Sequence, residues 1–211
     1  MKAIEWIFFD VGETLIDETN SYARHFALCE QKLQAHGVSI TSGSYAKIIE
    51  HAYRTNQPRP LYSTWRSFTK ELAKPDWEPQ LEQPYPQTIE TLAYLKSFYR
   101  LGIIANQIPG LTVRLKDAHL LDYFDSIISS ADLAAKKPDP AIFKAALAAT
   151  HAQAKTSIYI GDRVDNDIIP AKKLGFMTIR IKQGFGRFQA ENESWHSDVT
   201  IDRIEQLKNI L

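Results

Sequence analysis

The chain of 211 residues has one cysteine, Cys29, so an internal disulfide is excluded. A single thiol fits a reducing compartment, and within its helical pattern Cys29 reads as a buried or partly buried helix residue, not as a nucleophile. Net charge is also missing. The 25 Lys and Arg balance 25 Asp and Glu, so no overall field draws the chain to nucleic acid or to an anionic membrane, although local basic pockets stay open. No apolar run approaches the roughly 20 residues that a membrane helix needs. The opening Met1-Lys2-Ala3-Ile4-Glu5 lacks the shape of a leader, because Glu5 interrupts it and the apolar run stops at Asp10. Repeats and low-complexity segments are absent. The histidines, His25, His36, His51, His119, His151 and His196, show no metal-ligand spacing and are expected at the surface or partly buried. These absences predict a soluble cytoplasmic protein, one α/β domain or one domain with an insertion, with no nucleic-acid or membrane partner.

What is present begins with Trp6-Ile7-Phe8-Phe9-Asp10-Val11-Gly12-Glu13-Thr14-Leu15-Ile16-Asp17. Four apolar residues running into a carboxylate read as a strand buried on both faces that delivers Asp10 at its carboxyl end. Sites in open α/β sheets collect there. Gly12 lets backbone approach a ligand, and Thr14 offers a hydroxyl for holding the loop or a phosphate oxygen. Asp10 is then either a nucleophile at a strand tip or part of a surface turn.

From Thr19 to about His36 the pattern is helical, with Tyr22, Phe26, Cys29 and Leu33 in phase and Gly37 as the stop. A second helix is predicted from Ser42 or Ser44 to about Thr55 and a third piece over Tyr62 to Leu72. Pro75, Pro79, Pro84 and Pro86 then punctuate a return segment. Residues 18–84 therefore read as an inserted helical subdomain, and 1–17 with 85–211 as the core. In that core helices are predicted over 87–100, with Ile89, Leu92, Leu95 and Phe98 inward, and over 110–121, 139–150 and 167–174. They alternate with strands at Leu101–Ala105, Phe124–Ser129, Ser157–Ile160 and Met177–Ile181. This is the signature of a doubly wound parallel sheet. Gly184-Phe185-Gly186-Arg187-Phe188 reads as a flexible loop. A weak edge strand near Asp198 to Ile201 and a closing helix from about Asp202 follow.

Three more strand ends carry chemistry. Ile158-Tyr159-Ile160 stops at Gly161-Asp162, and Asp165 and Asp167 follow before a helix. A hard divalent cation such as Mg²⁺ takes one or two carboxylates directly and keeps several waters, a demand that Asp10 and Asp162 meet if their strands are neighbours. Asp167 either orients Asp162 or a metal-bound water, or caps the next helix, and the two roles are compatible. Asp165 is expected to face solvent. Ala105-Asn106 ends another strand, at a position suited to contacting an oxyanion. Lys136-Lys137-Pro138-Asp139-Pro140 places two cations before a helix, and an inward lysine would offset repulsion between a carboxylate and a phosphate.

In this order the four tips resemble the haloacid dehalogenase superfamily, over residues 1 to about 185, in the branch with a helical cap inserted after the first motif. The resemblance implies a Rossmann-like core and a Mg²⁺-dependent phosphatase acting on a small phosphorylated molecule through an aspartyl-phosphate. It implies Asp10 as nucleophile and metal ligand, the Gly12 carbonyl and Asp162 as further ligands, and Asp167 in support. Thr14 and Asn106 would contact substrate, and Lys137, directly before Pro138, would be the family lysine. Two positions depart from the family pattern. Gly12 stands where an acid/base aspartate is usual, and Ala105 where a serine or threonine is usual. Glu13 stands where the family has glycine and is not expected to substitute, since neighbouring side chains on an extended loop point apart. Loss of a general acid lowers rates by about 10²–10⁴-fold, so weak or leaving-group-selective hydrolysis is predicted. A catalytically impaired binding or regulatory protein is the alternative, with a 2-haloacid dehalogenase behind it.

Overall fold

The computed structural model describes residues 3–211. The chain begins with β1 (Trp6–Phe9) and the two-residue β2 (Ile16–Asp17). The helices α1 (Thr19–Ala35), α2 (Tyr45–Arg54) and α3 (Pro60–Phe68) come next, then β3 (Gln83–Pro84). The remainder alternates: α4 (Thr88–Lys96), β4 (Arg100–Ala105), α5 (Leu111–Asp117), β5 (Ser126–Ser129), α6 (Pro140–Thr150), β6 (Ser157–Gly161), α7 (Ile169–Lys173), β7 (Met177–Ile181) and β8 (Val199–Ile201). Six strands form one parallel sheet in the order β5-β4-β1-β6-β7-β8.

β1 shows why an uninterrupted apolar run needs two layers. Trp6 and Phe8 pack on one face with Ile142, Phe143, Tyr159 and Phe176, while Ile7 and Phe9 pack on the other with Leu92, Leu95, Ile103 and Ile158. Alternate side chains of a strand point to opposite faces, so both must be covered. The chain passes from β1 to β4 and β5 on one side, then returns to β6, β7 and β8 on the other. The order therefore reverses between β1 and β6, and ligands in such sheets bind at the carboxyl ends beside that switch point.

The chain divides into two compact units. One takes the chain up to Asp17 with Gln83–Arg187 and Glu191–Leu211; the other takes Glu18–Glu82 and Phe188–Ala190. The second unit is helical and aromatic inside. Phe26 packs on Tyr45, Tyr45 on Phe68 and Tyr22 on Trp77, and Trp65 Nε1 donates to the Leu72 carbonyl at 3.0 Å. Glu30, buried in α1, accepts from the backbone N–H groups of Gly43 and Tyr45, both at 2.8 Å. It thereby satisfies donors that the start of α2 leaves open.

Several local expectations are corrected. His25 is buried, with Nδ1 3.3 Å from the Asp76 carbonyl and Nε2 3.6 Å from the Cys29 sulfur. On α4 the buried positions are Thr88, Thr91, Leu92 and Leu95, while Ile89 and Phe98 are exposed. The stripe is shifted because Thr88 turns inward, its hydroxyl donating to the Leu15 carbonyl at 3.3 Å, and because α4 ends before Phe98. The helix expected over 167–174 opens instead with a wide π turn over Val164–Ile168, and only then continues as α7. Pro170 has no N–H with which to close an ordinary turn at that point. The segment after Gly184 is built, with a 3₁₀ turn over Gly186–Phe188 and Gly186 buried. The closing helix is a 3₁₀ stretch over Ile204–Asn209. Among the described residues no helix is long and apolar enough to cross a membrane.

His25 gives the helical unit a pH signature. Burial first, and the charge of Lys74 second, push its pKa from 6.5 down to about 4. The stability contributed by the neutral ring is complete above about 6.5 and is lost as pH falls toward 4, where the unfolded chain binds a proton that the folded chain refuses. The slope is at most about 1.4 kcal/mol per pH unit. His25→Gln should flatten urea midpoints between those pH values; a slope equal to that of the parent would contradict this.

Candidate functional site

Asp10, Asn106 and Asp162 each stand one residue past a strand, on β1, β4 and β6 respectively. The ladder continues into the first of them, the Asp10 N–H donating to the Ile160 carbonyl at 2.9 Å. The switch point thus sets Asp10 and Asp162 side by side. Asp167 arrives from the π turn. Its own N–H bonds the Arg163 carbonyl at 3.0 Å, and its Oδ2 accepts from the Arg163 N–H at 3.0 Å. That turn folds the Asp167 side chain back toward β6, where Gly161 leaves the space it occupies, since a Cβ there would meet the Asp167 carboxyl. Carboxylate oxygens of Asp10, Asp162 and Asp167 lie within 4.8 Å of one another, and all three residues are buried.

Of the two adjacent lysines, Lys136 faces solvent and Lys137 is 3% exposed. The Lys137 ammonium bridges Asp10 Oδ1 at 2.7 Å and Asp167 Oδ1 at 2.6 Å, and donates to the Tyr159 hydroxyl at 2.9 Å. The Tyr159 hydroxyl donates to the Ile104 carbonyl at 2.8 Å. Asn106 sets the lysine's place: its side-chain amide donates to the Lys137 carbonyl at 2.8 Å and its side-chain oxygen accepts from the Lys137 N–H at 2.7 Å. The Asn106 carboxamide thus bonds the lysine backbone through both its nitrogen and its oxygen, a role not expected from the sequence.

The electrostatics follow from burial. Burial raises the Asp10 pKa to about 6, with Lys137 opposing the rise. Asp162 is pushed well above the carboxylate range by burial and by the charges of Asp167 and Asp10. Burial alone would depress Lys137, yet Asp10 and Asp167 hold it above its ordinary value. Two of the three buried carboxylates thus share one ammonium, and Asp162 lies beside them without it. Among the described residues no side chain donates to the Asp162 carboxylate, and the Gly12 carbonyl accepts no hydrogen bond. An excess of negative charge with hard oxygen donors fits a divalent cation of the Mg²⁺ kind.

Between β1 and β2 the loop is tight. The Val11 carbonyl accepts from Thr14, Leu15 and Ile16 N–H groups. Thr14 is fully buried and its hydroxyl has no hydrogen-bond partner among the described residues. Glu13 adopts a left-handed backbone, φ 55°, and its buried carboxylate accepts from the Tyr85 hydroxyl. Asp165 is half-buried and paired with Arg163 at 2.7 Å. Sequence reading missed Tyr85, Tyr159 and Arg180. Tyr159 and Arg180 had a signal, each being a polar group inside an otherwise apolar strand and so in need of a buried partner.

Residues 7–181 match the family model of haloacid dehalogenase-like hydrolases. A glyceraldehyde 3-phosphate phosphatase of Methanocaldococcus jannaschii is 37% identical over 62% of this chain, a match that spans 58% of that protein. One from Methanothermobacter thermautotrophicus is 33% identical over 97% of this chain and 98% of its own length. A phosphoglycolate phosphatase of Yersinia pseudotuberculosis is 30% identical over 98% and 92%. The crystal structure of a phosphatase of this superfamily from Thermococcus onnurineus shares the fold, with TM-score 0.67 and 22% identity over 98% of this chain and 97% of that one. The chain, with its strand-end aspartates and buried lysine on a parallel sheet, belongs to the haloacid dehalogenase-like hydrolases.

Proposed function

We propose that the protein is a Mg²⁺-dependent phosphatase of small phosphorylated metabolites, with Asp10 as the nucleophile. The observation that carries this reading is the Lys137 ammonium held between Asp10 and Asp167 at the switch point, beside the Asp162 carboxylate. The full-length relatives add support, since they are named as phosphatases of three- and two-carbon phosphates.

In this reading Asp10, the Gly12 carbonyl and Asp162 would hold the cation, which when bound would neutralise charge on the phosphoryl oxygens. Asp10 attacks phosphorus in line as the bond to the leaving oxygen breaks, giving an aspartyl-phosphate and an alcohol that takes its proton from solvent; water then attacks phosphorus and releases inorganic phosphate and the free Asp10 carboxylate. Lys137 keeps Asp10 ionised and aimed, and faces the transferred charge; Asp167 holds Lys137. Asn106 fixes the segment that carries the lysine, and Thr14, whose buried hydroxyl has no hydrogen-bond partner among the described residues, is the candidate phosphate contact of the β1–β2 loop. Residues 18–84, the helical insertion, are assigned the choice of substrate.

Gly12 supplies no proton to the leaving oxygen. Aryl phosphates, whose leaving groups need little protonation, are expected to turn over about 10²-fold or more faster than glycerol phosphate. Initial rates on both, with Mg²⁺ and with chelator, test this. Equal rates would contradict the assignment of Gly12. Folded protein that binds Mg²⁺ without hydrolysing either would favour a binding or regulatory role, and chloride release from a 2-haloacid in chelator would favour a dehalogenase.

A further inference from the structure

Arg180 is 1% exposed and sits in the middle of β7, where it pairs with Gly161 of β6, the residue before Asp162. A guanidinium this deep has lost its hydration, so its donors must be met within the protein. Its donors go to the segment around Asp162. Nε donates to the Asp162 carbonyl at 3.3 Å and Nη2 to the Gly186 carbonyl at 2.8 Å. Nη1 lies 3.6 Å from the Glu191 carboxylate, which accepts from the Ser197 N–H at 3.0 Å.

Gly186 meets Asp162 a second time. A Cβ at Gly186 would overlap the Asp162 carboxylate and lie 2.9 Å from the Asp162 carbonyl oxygen. Two residues earlier Gly184, at φ +49°, rests against the Glu13 carboxyl, which a Cβ there would displace. Glu13 in turn raises the charge that Asp162 feels. The glycines of this segment thus leave room for two carboxylates, and one arginine fastens the segment and the Asp162 main chain together.

We propose that Arg180 and the Gly184–Gly186 segment form a cradle that fixes the Asp162 carboxylate for cation binding, with Arg180 as a positioning residue that itself touches neither cation nor substrate. This rests on the reading of Asp162 as a cation ligand. A carboxylate with no side-chain donor has nothing of its own to hold its rotamer, so its aim comes from the main chain on one side and the Gly186 wall on the other. Partners that orient a ligand in this way typically change metal affinity by about 10–100-fold when removed.

The test is titration calorimetry of Mg²⁺ into the full chain for the parent, Asp162→Asn, Arg180→Met and Gly186→Ala. Circular dichroism and unfolding midpoints are measured without metal. Arg180→Met and Gly186→Ala are expected to bind Mg²⁺ about 10–100-fold more weakly. The Mg²⁺ concentration that half-activates their hydrolysis of p-nitrophenyl phosphate should rise by the same factor. A merely structural arginine would lower the midpoint and leave Mg²⁺ affinity alone. Folded Arg180→Met and Gly186→Ala proteins that bind Mg²⁺ like the parent overturn the proposal. Should Arg180→Met not fold, Arg180→Lys, which keeps the charge but loses the paired donors, and Gly186→Ala decide it on the same criterion. Asp162→Asn separates the two levels: parent-like binding by that variant, or none by the parent, overturns the ligand reading as well.

Discussion

Asp10→Asn is expected to lower Mg²⁺-dependent hydrolysis of p-nitrophenyl phosphate by about 10⁴-fold or more, the scale on which removing a nucleophile acts. The carboxamide keeps the shape but cannot form the acyl phosphate. The folded state should survive the change. Burial places the Asp10 pKa near 6, above its ordinary 3.8, so its protonated form favours folding. That contribution is complete below about 3.8 and lost as pH rises through about 6, and above it the buried charge opposes folding. In chelator near pH 7.5, Asp10→Asn should therefore melt no lower than the parent. Kinetics with a melting curve on the same preparation check both statements. A variant that keeps a tenth of the parent rate, or that melts well below it, would contradict them.

Lys137→Met is expected to damage stability and activity together. The ammonium is the shared partner of Asp10 and Asp167 in a space it occupies almost without solvent. Removing one partner of such a buried set costs about 3–5 kcal/mol, because charges are left uncompensated. Activity should fall by about 10²–10³-fold, as when one donor to a developing charge is removed. The double variant Lys137→Met with Asp167→Asn removes one of the orphaned charges. It should regain part of the stability and none of the activity, a coupling that a double-mutant cycle of urea midpoints and kcat values measures. A loss below about 1 kcal/mol in the single variant would place the ion pairs among weak surface bridges and contradict their burial.

The parallel sheet was legible because the strands of an α/β core must be apolar on both faces, as Trp6–Phe9 and Ser157–Gly161 are. Asp10 and Asp162 were legible for the same reason, since a carboxylate that ends such a strand stands out against it. Lys137 was picked from the Lys-Lys pair through the resemblance, and its burial follows from tertiary contacts no local pattern encodes. What stayed hidden depends on long-range partners. The Asn106 carboxamide bonds the backbone of Lys137, 31 residues on, and Tyr85 reaches Glu13 across 72. The segment after Gly184 looked flexible because glycine permits many conformations. Its Gly186 carbonyl accepts from Arg180 of the preceding strand, β7, a contact that no glycine pattern announces. The burial of His25 and the shift of the α4 face likewise follow from what packs there.

As the proposed nucleophile, Asp10 would carry the phosphoryl group during turnover. Acid quench during turnover of p-nitrophenyl phosphate with Mg²⁺, followed by peptide mapping by mass spectrometry, would trap that intermediate. The predicted result is a phosphoryl adduct on the peptide containing Asp10, labile to hydroxylamine as an acyl phosphate is, and absent from Asp10→Asn and from samples with chelator. An actively hydrolysing protein with no such adduct at any quench time, or with the adduct on another residue, would contradict it.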